Sequence, residues 1–325
     1  MKLLYGVGVE TTETYRWAMY CNPQGYGLNA QTLPKALRYY LHPPPGRIFV
    51  SGDLSQAEAR VVAYEANCKY LIEVFNDPKR NVHLENALAV FKREVKKDMP
   101  EYTTAKSVVH ASHYGEGPYR FSVQAGIPVR EARILLENYH SARPEIKIWH
   151  KTTYDRIKTT GRLINPLGDT RTFYEAISCF SLTGKMTDQQ WKDGISWVPQ
   201  SVVPHILNLG LLGMADLREK GMDLLFHHQG HDSFVCSIPV GEEQCFFDAV
   251  RPLYSNIKLA SPGGIYTIPQ EYSVGFSFSD MFAYRGASIS FSDWTGLVSA
   301  KLEKKPRQEE ILSGTYGTFL KDWRP

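Results

Sequence analysis

A chain of 325 residues with 43% hydrophobic residues and a formal charge of +3 is long enough for one large or two medium domains with buried cores, which excludes a disordered or fibrous protein. So small a positive balance permits a phosphate-bearing ligand without requiring one, because one strongly basic face can coexist with a near-neutral whole. Cys21, Cys68, Cys179, Cys236 and Cys245 show no short paired spacing, so neither a zinc knuckle nor a disulfide framework is indicated and a reducing cytoplasm is expected. The start Met1-Lys2-Leu3-Leu4-Tyr5-Gly6 lacks the apolar run of a signal peptide, no later run is long enough to cross a bilayer, and no membrane partner is expected.

Residues 1–47 are dominated by turn chemistry, in Cys21-Asn22-Pro23-Gln24-Gly25, Leu33-Pro34 and Pro43-Pro44-Pro45-Gly46, with one short helix at Lys35 to Tyr40. Ile48-Phe49-Val50 then runs into Gly52-Asp53, and a mixed apolar and polar pattern follows Ser55. This reads as a buried strand that ends at a carboxylate, followed at once by a helix over Glu58 to Asn76 that Asp77-Pro78 closes. A rigid strand end can present Asp53 to a metal or substrate; Asp53 or Ser55 can equally be a plain helix cap. Val82 to Phe91 predicts another helix.

Tyr102, Lys106, His110 and Tyr114 recur at a spacing of four, so they share one helical face that carries a cation, an imidazole and two phenols. Gly115 and Gly117 give that helix a flexible exit. Val129 to Thr159 reads as a helical region broken near Pro144, Arg162 to Arg171 as a hairpin turning at Gly168, and Trp197 to Lys220 as a long apolar helix. Leu224-Leu225-Phe226 and Phe234-Val235-Cys236 flank a second hairpin with His231 and Asp232 at or near its tip, which by itself could be only a polar turn. Two helices, or a helix and a strand, follow up to Phe278; Lys301 to Glu310 looks like a charged surface tail, and Tyr316 to Trp323 like a small anchor.

Three of these stretches together resemble family A DNA polymerases, the bacterial polymerase I and phage replicase group. The family's motif A, Asp-Tyr-Ser-Gln-x-Glu-x-Arg, is matched from Asp53 to Arg60 except that Leu54 replaces the tyrosine. Motif B, Arg-x-x-x-Lys-x-x-x-aromatic-x-x-x-Tyr-Gly, is matched at Lys106, Tyr114 and Gly115, with Tyr102 in the arginine's place and His110 in the aromatic's. Motif C, Gln-Val-His-Asp-Glu, is matched by Gln229-Gly230-His231-Asp232-Ser233, so a serine replaces the second acid. Thr14-x-Arg16, the segment Gly27 to Pro34, His83, Gln200 and the strand Ile268 to Gly275 resemble smaller family segments, so the likeness covers roughly residues 10–282.

The resemblance implies an α+β polymerase right-hand fold: an antiparallel palm sheet with a helical fingers subdomain, and no thumb or exonuclease domain. Residues 1–47 would correspond to the thumb-palm junction, 48–75 and 196–282 to the palm, 76–195 to mainly helical fingers with the return hairpin, and 283–325 to a C-terminal extension. It implies template-directed DNA synthesis, with Asp53 and Asp232 as ligands of two Mg2+ ions, Mn2+ being a substitute, and Lys106 as a catalytic cation. Gln56, Glu58, His83, Lys106, His110 and Tyr114 would hold the deoxynucleoside triphosphate, with Arg120 or Lys97 as further cations that could compensate for Tyr102. Glu58 favours deoxynucleotides over ribonucleotides, which leaves a single-subunit RNA polymerase relative as the lesser alternative. Arg16, Arg60, Gln200, His231 and Arg171 would meet primer-template DNA, Arg171 being equally readable as a surface hairpin residue. A second polypeptide with the thumb, and possibly a 3′–5′ exonuclease, is the expected partner in a phage-like split polymerase of the host cytoplasm, joined through Trp294, Phe319 and Trp323. A noncatalytic DNA-binding scaffold with the same fold is the alternative.

Overall fold

A computed structural model describes residues 6–8, 12–20 and 29–304. It opens with the antiparallel pair β1 (Gly6–Gly8) and β2 (Ala18–Tyr20), the short helix α1 (Lys35–Arg38) and the strand β3 (Arg47–Leu54). A run of helices follows: α2 (Ala57–Glu65), α3 (Lys69–Asn76), α4 (Val82–Phe91), α5 (Pro100–His113), α6 (Pro118–Ala125), α7 (Val129–Ala142) and α8 (Pro144–Thr160). The hairpin β4 (Arg162–Ile164) and β5 (Thr170–Thr172) leads to α9 (Tyr174–Thr183) and the long α10 (Asp188–Glu219). The hairpin β6 (Leu225–Gln229) and β7 (Ser233–Pro239) precedes α11 (Glu243–Ser255), a small hairpin of β8 (Leu259–Ser261) and β9 (Gly264–Tyr266), then β10 (Gln270–Gly275), β11 (Phe282–Ala283) and α12 (Phe291–Lys304).

The central sheet is antiparallel, in the order β11-β10-β3-β7-β6, and its pleat explains the sequence pattern. Ile48, Val50 and Leu54 of β3, Phe234, Cys236 and Ile238 of β7, and Tyr272 and Val274 of β10 join one core with Val202, Ile206 and Leu211 of α10 and Phe246 and Phe247 of α11. Alternate residues must point the other way. Ser51, Asp53, Ser233, Val235, Glu271 and Ser273 accordingly line an open cleft. A second core, with Val108, Ala111, Phe121, Leu135, Tyr139 and Ile146, holds α5, α6, α7 and the start of α8 together. Segregated sheet and helices give the expected α+β architecture.

Gly52 lets the sheet close just before Asp53. A Cβ there would lie 2.5 Å from the ring of Phe234, a side chain with no exposed surface. Gly52→Ala is therefore expected to destabilise the fold by about 1–3 kcal/mol through overpacking, read as a lower urea midpoint; an unchanged midpoint would mean that the sheet relaxes freely.

Several local readings need correction. The helix expected over Glu58 to Asn76 is two helices, because Asn67 adopts a left-handed φ of 49° between them. α10 begins at Asp188 rather than Trp197: Thr187 and Gln190 form a capping box there, and the helix continues through Pro199 and Pro204. The sequence reading supplied neither α6 nor α9, and the β8–β9 hairpin lies between the expected helix and the last strand. Lys301 to Lys304 belong to α12 rather than to a tail, and Lys301 Nζ lies 2.9 Å from Asp280, whose side chain is fully buried. Trp294 is buried too, its indole donating to the Asp280 carbonyl at 2.7 Å, so it serves this chain's own core and is not free for a partner. The Cys21 to Leu28 stretch, the rest of the charged segment, the anchor at Tyr316 to Trp323, Phe319 and Trp323 lie outside the described residues.

Candidate active site

On the sheet side of the cleft, Asp53 is the last residue but one of β3 and Asp232 sits in the turn that joins β6 to β7. The backbone binds the two together: Leu54 N–H donates to the Asp232 carbonyl at 2.9 Å, and Gly230 N–H closes the turn on the Ser233 carbonyl at 2.6 Å. Asp53 lies opposite Ser233 on one flank and opposite Glu271 on the other. Burial on the cleft side raises its carboxyl to about 7, with the nearby charges of Asp232 and Glu271 pushing the same way. The cleft beside them has a volume of about 520 Å³ and is also lined by Ser55, Gln56 and His83.

On the helical side, α5 buries Ala105, Val108 and Ala111 and leaves Lys106 and His110 exposed. Gln56, Glu58, His83, Lys106, His110, Tyr114 and Asp232 line one pocket adjoining the first. The structure thus brings the six residues expected to hold the nucleotide to one pocket, while Arg120 lines a different one. Tyr102 keeps a role of its own: Lys106 Nζ lies 4.6 Å from the centre of its ring, and the His83 ring lies 6.0 Å away. Burial and the charges of Lys106 and Lys97 lower His83 to about 4, so at neutral pH it is a hydrogen-bonding group without charge. His110 and Tyr114 stack edge to face at 4.8 Å.

The Tyr114 hydroxyl donates to Glu58 Oε2, and Arg16 Nη2 lies 2.9 Å from Glu58 Oε1. Burial and the Glu58 charge push the Tyr114 phenol well above its ordinary value, which keeps it a donor. One carboxylate therefore ties motif A, the end of α5 and the N-terminal segment together. Gly115 follows with φ 65°, and a Cβ there would meet the Trp191 ring at 2.4 Å, so this exit is a packed left-handed turn rather than a loose one. From behind, His150 Nε2 donates to the His113 carbonyl at 2.9 Å, and His113 Nε2 pairs with the Tyr139 hydroxyl at 2.8 Å.

The residues expected at DNA divide. Gln200 lines a further pocket with His110, Tyr114 and Arg120, and His231 stands exposed beside Asp232. Arg16 is engaged with Glu58. Arg60 turns back from the cleft, donating to the carbonyls of Ser55 and Phe75 at 3.1 and 3.2 Å and lying 4.6 Å from the centre of the Phe75 ring. Arg171 pairs with Glu13 and covers Phe173 at 4.5 Å. The sequence reading missed Arg38, His228, Ser273 and Glu271, which all line the cleft. Strict alternation along β10 would have shown Glu271 and Ser273 on one face; only the sheet register shows which strand that face adjoins.

A model of DNA polymerase family A matches residues 27–262. The chain belongs to this family. It is 31% identical over 145 residues to the DNA polymerase of Mycobacterium phage D29, a match covering 44% of this chain and 24% of that one. It is 25% identical over 223 residues to DNA polymerase I of Borreliella burgdorferi, covering 66% of this chain and 24% of that one. The chain thus spans about a quarter of the length of these relatives. The POL domain of Pol1 from M. smegmatis, solved with DNA primer-template and dNTP, shares the fold with a TM-score of 0.71 at 18% identity, over 85% of this chain and 48% of that one. The family A match takes in Asp53, α5 and Asp232 and stops before Glu271.

Beside the His83 and His228 imidazoles, the lining of this family A cleft presents a set of oxygen donors, the carboxylates of Asp53, Asp232 and Glu271 with the hydroxyls of Ser55 and Ser233. That set fits a hard cation such as Mg2+ or Mn2+. Among the described residues no group of three or more His, Cys, Asp or Glu side chains is arranged to hold an ion unaided, and Mg2+ ordinarily takes much of its shell from phosphate and water.

Proposed function

We propose that this chain catalyses template-directed addition of deoxynucleoside triphosphates to a primer 3′-hydroxyl. The observation that carries the reading is the placement of Asp53 in one pocket and of Asp232 with the Lys106, His110 and Tyr114 face in the adjoining one, the two sharing Gln56 and His83, in a chain of family A. Asp53 and Asp232 are the proposed ligands of two Mg2+ ions, with Mn2+ able to replace them. When bound, such ions lower the pKa of the primer hydroxyl and offset charge on the reacting and departing phosphate oxygens.

The remaining steps belong to the protein. Lys106, presented on the ring of Tyr102, meets the triphosphate as a mobile point charge, and neutral His83 donates a hydrogen bond beside it. His110 and Tyr114 offer ring faces to the base and sugar. Glu58, held by Arg16 and Tyr114, forms the floor under the sugar and leaves no room for a 2′-hydroxyl. Gln56 is fixed at the start of α2 in a left-handed conformation, φ 50°, where its side chain reaches both pockets. Gln200 and His231 face the primer terminus, while Arg16, Arg60 and Arg171 act on DNA through the segments they brace.

A second polypeptide carrying a thumb, and possibly a 3′–5′ exonuclease, is supported by an apolar groove between β2, α10 and β6 lined by Trp17, Met19, Leu211, Leu212 and Phe226. A native mass above the 36.9 kDa of this chain is expected for the particle purified from its source; a monomer removes that part of the proposal. Cytoplasmic action is supported by Cys68, Cys179, Cys236 and Cys245, which are unpaired. Among the described residues no helix is long and apolar enough to cross a membrane.

The experiment is primer extension in Mg2+ and low salt on four templates that differ only in the first unpaired base. On each, the complementary deoxynucleotide is expected to be added and pyrophosphate released. DNA binding without extension would favour the scaffold reading, and addition that ignores the template base would overturn template direction.

A further inference from the structure

We propose that Glu271 supplies the third carboxylate charge of the metal centre, on the opposite flank of Asp53 from the position where this chain carries Ser233. The inference rests on the polymerase reading and extends it to a residue outside the three motifs.

The register carries it. Glu271, Asp53 and Ser233 form one row across β10, β3 and β7, each directly opposite the next. Residues in such a row point to the same face of a sheet, here the cleft. Motif C of the family has an acid at the position of Ser233. Losing it removes a negative charge from one neighbour of Asp53, and Glu271 places one on the other neighbour.

Two further observations separate this from chance. Like charges directly opposite each other destabilise a sheet, so an Asp53–Glu271 pair works against the fold unless a proton or a cation offsets one of the charges. Glu271 is also held at that spot: Ser55 Oγ, from motif A itself, donates to Glu271 Oε1 at 2.7 Å. Arg60 feels the Glu271 charge but spends its hydrogen bonds on the Ser55 and Phe75 carbonyls. Because no three such side chains among the described residues already converge to hold an ion, Glu271 acts from one strand away as a positioning residue. Its charge and the water it orders hold the cation against Asp53.

The test is Mn2+ binding to the purified chain without nucleotide, followed by the paramagnetic resonance signal of free Mn2+. Glu271→Gln is expected to weaken binding roughly tenfold, the effect of removing one charge a few ångströms from a divalent ion in a partly solvated site. Ser233→Glu in the Glu271→Gln background should recover most of that loss, and Ser233→Glu alone should bind Mn2+ more tightly than wild type. With metal absent, Glu271→Gln should melt no lower than wild type, since it relieves repulsion. Wild-type Mn2+ affinity in Glu271→Gln, or no recovery in the double variant, would overturn the proposal. Asp53→Asn distinguishes the two levels: if it too leaves Mn2+ binding unchanged, the metal centre and the polymerase reading both fall; if it alone loses binding, only the role of Glu271 does.

Discussion

Asp53→Asn is expected to slow single-turnover nucleotide addition by at least about a thousandfold, about 4 kcal/mol of transition-state stabilisation, with little change in affinity for primer-template. Asp53 lies near the end of a strand whose position is fixed on both sides, by Ser233 across one ladder and Glu271 across the other, so its carboxylate is presented from a rigid backbone. An amide keeps the shape and loses the charge, and the defect should therefore fall on the chemical step. Rapid-quench measurement at saturating nucleotide checks this. A variant that extends at the wild-type rate would remove Asp53 from the reaction.

The same substitution has an opposite effect on the metal-free fold. The carboxyl of Asp53 sits at about 7, against 3.8 when unperturbed, so the folded state retains a proton that the unfolded chain has already lost. Its contribution to stability is complete below about pH 4 and is lost as pH rises through 7. Asn has no such loss. Asp53→Asn should be the more stable form in chelator above pH 7, by about 1–2 kcal/mol after allowance for the water on the open side of the cleft, and the gain should shrink toward pH 5. Melting curves across that range check it; a gain independent of pH would mean that carboxylate crowding is not the cause.

Glu58→Ala is expected to raise ribonucleotide use relative to deoxynucleotide use by roughly a hundredfold, the order available when a site loses the group that fills a substrate-sized space. Glu58 is held from two directions, by the Tyr114 hydroxyl and by Arg16, and a side chain fixed in that way makes a stiff floor. Removing it also leaves a half-buried phenol and guanidinium without their partner, so addition of both sugars should slow. Competition between ribo- and deoxynucleotides on one template separates the effects. An unchanged ratio accompanied by a slower rate would confine Glu58 to bracing α5.

Local pattern made much of this site legible. An apolar run that stops at Gly52-Asp53, a spacing of four from Tyr102 to Tyr114, and two apolar strands around His231-Asp232 each report their own structure, because pleat and helix periodicity are properties of neighbouring residues. The elements that escaped were decided elsewhere. Asn67 breaks a helix through a backbone conformation that its neighbours do not signal, and α10 keeps two prolines inside because its remaining length is packed on the sheet. Side-chain direction was harder still: Arg60 and Arg171 are cations near motifs, yet both are turned to partners distant in sequence, Phe75 and Glu13. Trp294 looked available for a partner until α12 was seen to bury it. Glu271 is the clearest example, since only the pairing of β10 with β3 makes it a neighbour of Asp53.

The central claim is that the carboxylates of a strand and of the adjoining hairpin turn, joined through Leu54 N–H and the Asp232 carbonyl, make the cleft a nucleotidyl-transfer site. One labelled primer-template, the next complementary deoxynucleotide and Mg2+, mixed with wild type or with Asp232→Ala, test it most directly. Wild type should lengthen the primer by one nucleotide while Asp232→Ala binds the same DNA and leaves it unextended; equal extension by both would contradict the account.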